Sequence, residues 1–303
     1  MNRPASTSPE RDTRLRAYLG LGLMAVIWGA NFSVAKAALA SVPPLAFNAL
    51  RFPFAAGAVL LVLRLRGPLP RPAPRDVSRV IVLGLLGNVL YQQFFIFGLN
   101  ATNAGIASVL LAGTPILTAL ISAGLGHEEV RPRTWIGVVS TFLGILLVVR
   151  QSGAMASGAE TTLAGGLLMV GASVAWAAYT VGARPLLARY GSVAVTAWTL
   201  WSGTIVLVGI GIPQVLALPA GTLTPAVWLA ILYAGALSIG FAYLIWYNGV
   251  RIIGNTRTAA FSNVVPVVAL FVAWAWLREV PSAGELAGAA IIISGVMLAQ
   301  SAR

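Results

Sequence analysis

The chain has no cysteine and a single histidine, His127, in 303 residues. Without cysteine there is no disulfide, no thiolate nucleophile and no Cys-ligated metal. One histidine leaves a zinc centre or a His-centred triad very hard to assemble, so no metal site, cofactor or catalytic residue is expected. Charge is also scarce, at 9% of residues, against about 25% in soluble domains. The acids number eight: Glu10, Asp12, Asp76, Glu128, Glu129, Glu160, Glu279 and Glu285. None of them lies deep in an apolar run. Apolar side chains, in contrast, make up 58% of the chain, with a mean hydropathy of +0.86. A single water-soluble globule cannot hide that much, so the composition is that of an integral membrane protein.

The net charge of +12 does not signal nucleic acid, and no nucleic-acid partner is expected. The basic residues form short clusters between long apolar runs, as in the cytoplasmic loops of membrane proteins, rather than one patch with interleaved aromatics. About 20 apolar residues cross a bilayer. Reading between charges and turn signals gives ten spans. The first two run from Ala17 to Ala35 and from the Pro43-Pro44 turn to just before Arg64. The uncharged stretch Val80–Gly126 breaks at Asn100–Asn103 into spans near 78–99 and 104–125. Spans at Thr134–Val149 and Thr161–Ala183 follow. The uncharged stretch Tyr190–Val250 is split by the Pro/Gly-rich segment Gly211–Pro225. Thr258–Leu277 and Leu286–Ala302 complete the set. Arg11, Arg14 and Arg16 ahead of the first run imitate a secretory signal. That run is longer than a signal core, and Lys36 stands where the cleavage region should be uncharged, so cleavage is not expected.

With ten alternating spans and the N-terminus inside, sixteen of the twenty Lys and Arg residues face the cytoplasm. Lys36, Arg150 and Arg278 face out, and Arg51 lies within a span. This bias predicts both termini cytoplasmic, in the cell (inner) membrane. Sliding the chain on itself by 151 residues aligns Gly98 with Gly249, Pro115 with Pro266, Glu128 with Glu279, Gly137 with Gly288 and Gly144 with Gly295. Earlier in each half the offset is 148, and Trp28 meets Trp176. Five spans per copy is an odd number, so the second copy must be inverted. Inverted repeats are a signature of transporters, whose substrate site lies near mid-membrane between the copies. The domains read as a basic tail at 1–16, a first five-helix unit at 17–150, a connecting loop at 151–160 and the inverted unit at 161–303.

At these residues the sequence resembles the drug/metabolite transporter superfamily, specifically its ten-helix EamA-type exporters. The resemblance rests on Trp28-Gly29-Ala30-Asn31-Phe32 running to Lys36, on Ala49-Leu50-Arg51-Phe52, on Gly113-Thr114-Pro115 before Glu128, and on Gly137 and Gly144. In the second copy it rests on Val265-Pro266, Glu279, Gly288 and Gly295. The overall look is closest to the YddG-like aromatic amino-acid exporters. The resemblance implies a monomeric carrier with a central cavity lined mainly by helices 1, 3, 4, 6, 8 and 9.

The residues themselves favour an aromatic binding site. Trp28, Asn31 and Phe32 are spaced i, i+3, i+4 and share one face of the first helix. Trp176, Tyr179 and Thr180 form the related face of the sixth. Tyr91, Gln92 and Phe95 come from the third, and Tyr243, Trp246 and Tyr247 from the eighth. Ser108 and Asn263 lie near Pro115 and Pro266. Aromatic walls with a few amide and hydroxyl groups suit a flat or apolar side chain. Trp135 and Trp228, at span edges, read instead as interfacial belt residues.

Pro115 and Pro266 remove backbone donors in mid-helix and free the carbonyls of Leu111 and Ser262, as hinges or substrate contacts. Arg51 either binds a substrate carboxylate on the outer side or snorkels to the interface. Glu128 and Glu279 read as loop anchors paired with Arg131 or Arg278, and His127 as a solvated loop residue. Gly137 with Gly144 and Gly165–Gly166 with Gly171 read as helix-packing positions.

With no buried carboxylate, a cationic substrate has no counter-ion and a proton relay has no acid. The expectation is therefore uncoupled export of neutral or zwitterionic amphiphiles, aromatic amino acids foremost. The alternative is a drug or other-metabolite exporter, or an importer, with proton coupling. A lipid-acting membrane enzyme would need buried acids, bases or a metal, so no enzyme activity is expected.

Overall fold

A computed structural model describes residues 8–67, 69–125, 132–154, 163–253, 258 and 261–301. The described residues are helical throughout, in ten apolar rods joined by short turns. Seven are long and apolar enough to cross a membrane, and three have shorter apolar stretches, Trp135–Val148, Val264–Leu277 and Ala283–Leu298. In chain order they are α1 (Ser8–Leu39), α2 (Pro44–Arg66), α3 (Pro74–Asn100), α4 (Ala104–Leu111 continued by Thr114–Gly124), α5 (Pro132–Ala154), α6 (Leu163–Tyr190), α7 (Ser192–Leu216), α8 (residues 225–253), α9 (Val264–Leu277) and α10 (Ala283–Ser301). Pro44, Pro74 and Pro225 open α2, α3 and α8, where a missing N–H costs no helical hydrogen bond. Leu60, Leu61, Ile205 and Leu229 point away from the bundle, the arrangement a bilayer requires and water would penalise.

The rods pack as matched pairs. α1 lies against α8 and α9, and α6 lies against α3 and α4; α2 pairs with α7, and α5 with α10. The α5–α10 contact is built from glycines. A side chain at Gly144 would strike Ile292 and the carbonyl of Gly288, and one at Gly295 would strike the carbonyl of Gly137. Gly137 and Gly144 thus act in packing, as their spacing implies. The Thr141 hydroxyl donates across the same seam to the Ile292 carbonyl at 3.4 Å.

Three sequence expectations change. The stretch between α7 and α8 does not break at Gly211: α7 runs through Gly211 and Pro213 to Leu216, and the turn occupies 217–224. Gly211 is needed inside the helix because a Cβ there would meet the Leu45 carbonyl and Ala49 of α2. Pro115 does not kink a continuous helix. The chain turns at Ala112–Gly113, and Pro115 stands in the first turn of the restarted helix. The Leu111 carbonyl accepts the Thr114 hydroxyl at 2.6 Å, so it is not left open to a substrate. Pro266 likewise lies just inside a helix start, after Asn263.

Three rods contain π-helical turns that periodicity did not reveal, and the one in α9 is Ala273–Leu277. In α3 the π segment is Leu85–Leu90, and in α8 it is Tyr233–Phe241. The starts of the α3 and α8 segments are offset by the same 148 residues that relate Trp28 to Trp176. Gly87 and Gly235 share this offset and both permit close approaches. A side chain at Gly87 would enter the Tyr179 ring, and one at Gly235 would strike the Arg51 carbonyl.

Candidate functional site

The π segments of α3 and α8 end where aromatic site residues begin: Tyr91 follows Leu90, and Tyr243 stands two residues past Phe241. Such wide turns re-aim the side chains after them and recur at functional sites. From four rods the rings converge near mid-span. Trp176 is the hub, with centroids 4.8 Å from Tyr91, 5.4 Å from Tyr179 and 5.4 Å from Tyr243. Tyr243 meets Trp28 at 6.0 Å, and Trp28 meets Trp246 at 5.5 Å. Tyr91 continues to Phe95 at 6.0 Å, and Phe95 to Phe32 at 5.5 Å. The result is one unbroken cage from α1, α3, α6 and α8. Tilted and edge-on pairs at these spacings are favourable beyond the area they bury.

Polar groups are set among the rings. The Trp28 Nε1–H donates to the Ser238 carbonyl at 2.8 Å, across the α8 π segment. Tyr179 Oη lies 3.1 Å from Thr199 Oγ1, and Tyr247 packs in one cluster with Tyr243, Trp28 and Trp176. Gln92 is buried, and its Oε1 accepts from Arg51 Nη2 at 2.7 Å. Asn31 is 6% exposed, and its Oδ1 has no hydrogen-bond partner. A buried acceptor without a donor costs about 1–3 kcal/mol.

Trp28, Phe32, Tyr91, Gln92, Phe95, Trp176, Tyr179, Tyr243 and Tyr247 are therefore brought together. Ser108 is occupied within its own helix, donating to Gly105 at 2.6 Å. Asn263 is half-buried at the start of α9. Thr180 is exposed, its hydroxyl bonded to the Trp176 carbonyl. Trp135 and Trp228 are exposed at 53% and 39%, as belt residues are. The snorkelling alternative for Arg51 is overturned: the side chain is 1% exposed, deep behind the cage. Asn48, which holds it, was not among the expected site residues, although it stands three residues before Arg51 on α2, a spacing that puts both on one face. A crevice lined by Leu110, Thr141, Phe142 and Ser173 lies apart, between α4, α5 and α6.

Both ends of the bundle are tied. At one end Lys36 Nζ donates to the carbonyls of Leu99 (3.0 Å) and Asn100 (2.9 Å), a cation at the C-terminus of α3. Glu279 accepts from the Gly105 amide at 3.3 Å, an anion at the N-terminus of α4. Its partners are this amide and the nearby Lys36, not Arg278 as expected. Glu128, Arg131 and His127 lie outside the described residues. At the other end Asp76 accepts from Arg189 (2.7 Å) and Tyr190 (2.6 Å), joining the start of α3 to the end of α6.

Burial holds the Glu279 carboxyl above the usual carboxylate range, and Glu285 adds to the rise. The Gly105 and Ala104 amides and Lys36 oppose it. A carboxyl raised in the folded state binds its proton more tightly folded than unfolded. Its contribution to stability is complete below the unfolded value and is lost as pH rises through the folded one. We expect Glu279→Gln to remove the part of the melting-temperature loss that detergent-solubilised wild type shows as pH rises above the ordinary carboxylate range. Parallel curves for the two proteins would contradict this.

Comparison with known proteins agrees with this architecture. The sequence model of the EamA-like transporter family matches twice, at residues 15–150 and 163–300. An "uncharacterized transporter" of Archaeoglobus fulgidus is 30% identical, over 93% of this chain and 96% of its own. A "probable terminal-alkyne amino-acid exporter" of Streptantibioticus cattleyicolor is 30% identical over 93% of both chains. A "probable amino-acid metabolite efflux pump" of Salmonella typhimurium is 26% identical, over 94% of this chain and 95% of its own. A crystal structure with a TM-score of 0.66 covers 94% of this chain and 97% of its own at 22% identity, which shows a shared fold.

Proposed function

Because the chain belongs to the EamA-like transporter family, we propose that it is an inner-membrane exporter of small amphiphilic metabolites, neutral and aromatic amino acids first. It works by alternating access between two inverted five-helix units, residues 17–150 and 161–303. The observation that carries this reading is the aromatic cage at mid-span, drawn from α1 and α3 of one unit and α6 and α8 of the other. A site shared between halves changes its accessibility when the halves rock against each other. The tie at Lys36 and Glu279 belongs to the outer end, and the tie at Asp76, Arg189 and Tyr190 to the cytoplasmic end. The two relatives named as amino-acid exporters support the substrate class.

The cage is walled by rings, amides and hydroxyls, and none of the described acids lies in it. No carboxylate there would neutralise a cation or relay a proton, so the reading is uncoupled, facilitated movement of a zwitterion. Purified protein in liposomes is expected to carry a neutral amino acid such as tryptophan down its gradient with no imposed proton gradient. Strict dependence on a pH difference would overturn the uncoupled part. Movement of cationic dyes without any amino acid would favour a drug exporter instead.

A further inference from the structure

Arg51 is a cation buried at 1% exposure with no carboxylate partner among the described residues. Buried charges are normally paired, because the medium around them screens poorly. The Arg51 hydrogen bonds all go to neutral amide oxygens. Nε and Nη2 donate to Asn48 Oδ1 at 3.0 and 2.8 Å, and Nη2 donates to Gln92 Oε1 at 2.7 Å. Nη1 donates to none of the described residues. The guanidinium is therefore oriented from one side and unneutralised.

Its setting is continuous with the cage. The guanidinium carbon lies 5.0 Å from the Phe47 ring centroid, 5.8 Å from Phe52 and 5.7 Å from Phe95. Phe95 is itself a cage ring, in contact with Tyr91 and Phe32. Gln92, between Tyr91 and Phe95 in sequence, holds Arg51 directly. Asn31, next to Phe32, supplies a buried oxygen with no donor. Nε and both hydrogens of Nη2 are spent on Asn48 and Gln92, so the two N–H groups of Nη1 are the donors left for a carboxylate, in a charge-assisted hydrogen bond. An amide oxygen takes an ammonium N–H, and the rings take a flat side chain.

Resting on the transport reading above, we propose that Arg51 is the carboxylate-binding residue of the cage. Its substrates are then amphiphiles bearing a carboxylate beside an aromatic or apolar group. Asn48 and Gln92 are positioning residues that aim the guanidinium. An amine lacking the carboxylate leaves the buried cation unneutralised and is rejected.

The test is inhibition of labelled tryptophan uptake in proteoliposomes by unlabelled tryptophan, indole-3-propionate and tryptamine, with wild type, Arg51→Gln and Arg51→Lys. The wild type should bind tryptophan and indole-3-propionate at least about tenfold more tightly than tryptamine. Arg51→Gln should lose that preference, mainly as a raised KM for tryptophan with little change for tryptamine, and Arg51→Lys should recover part of it. An Arg51→Gln protein that folds, with unchanged tryptophan-induced shift in melting temperature and unchanged selectivity, overturns the proposal while the amino-acid reading stands. Where Arg51→Gln is not recovered, equal wild-type affinity for tryptamine and tryptophan overturns it. If wild type instead carries labelled indole-3-propionate but no amino acid, and Arg51→Gln abolishes that movement, the amino-acid reading fails and the assignment of Arg51 holds.

Discussion

Trp176→Ala is expected to lower transport by about tenfold or more while the protein still reaches the membrane. The indole touches three rings, Tyr91, Tyr179 and Tyr243. Each such pair is worth about 0.5–1.5 kcal/mol beyond its buried area. Removing the hub releases three walls of the cage at once, and a tenfold loss of rate corresponds to about 1.4 kcal/mol. Trp176 is half-buried, so its removal disturbs the fold less than loss of a fully buried tryptophan would. Trp176→Phe keeps a ring at the hub and should restore much of the transport. Wild-type rates in Trp176→Ala would remove Trp176 from the binding site.

The largest effect on stability is expected at the α5–α10 seam. In Gly144→Leu the new Cβ would lie 2.7 Å from Ile292 Cγ1, 2.8 Å from the Gly288 carbonyl oxygen and 3.0 Å from the Ile292 amide nitrogen. Two of these neighbours are backbone, so no rotamer relieves the clash and the helices must separate. Overpacking of this kind costs about 1–3 kcal/mol or more, and membrane helices rely on close backbone approach for much of their association. The expected result is a sharply reduced folded yield and a lower melting temperature in detergent. Gly57→Leu is the control, because nothing lies within 4 Å of its added Cβ, and it should behave as wild type. A Gly144→Leu protein as stable as that control would mean that α5 and α10 do not pack through these glycines.

How much of this was legible in the sequence differs between residues. Trp28, Asn31 and Phe32 share a face because 3.6 residues make a turn, so their grouping needs no tertiary information. The same holds for Tyr91 with Phe95 and for Tyr243 with Tyr247. That Trp176 lies well inside a span follows from its place between Thr161 and Ala183. Other features depend on neighbours from distant parts of the chain. Gly87 and Gly235, inside the π segments of α3 and α8, lie against Tyr179 and Arg51, and a glycine alone does not announce such a partner. Pro115 looked like a kink because the sequence does not show Thr114 taking the Leu111 carbonyl. Glu279 has Arg278 beside it in sequence, yet it turns to an amide 174 residues away.

Hydropathy and charge spacing alone determined that this is a multi-pass membrane protein of ten helices with no acid deep in an apolar run. A bilayer imposes those limits on each segment separately. Only the tertiary structure decided where Arg51 points, which carbonyls are capped, and that four helical faces meet in one cage. Burial, electrostatic pairing and ring contact are properties of atoms far apart in the chain, and they exist only once the helices have packed.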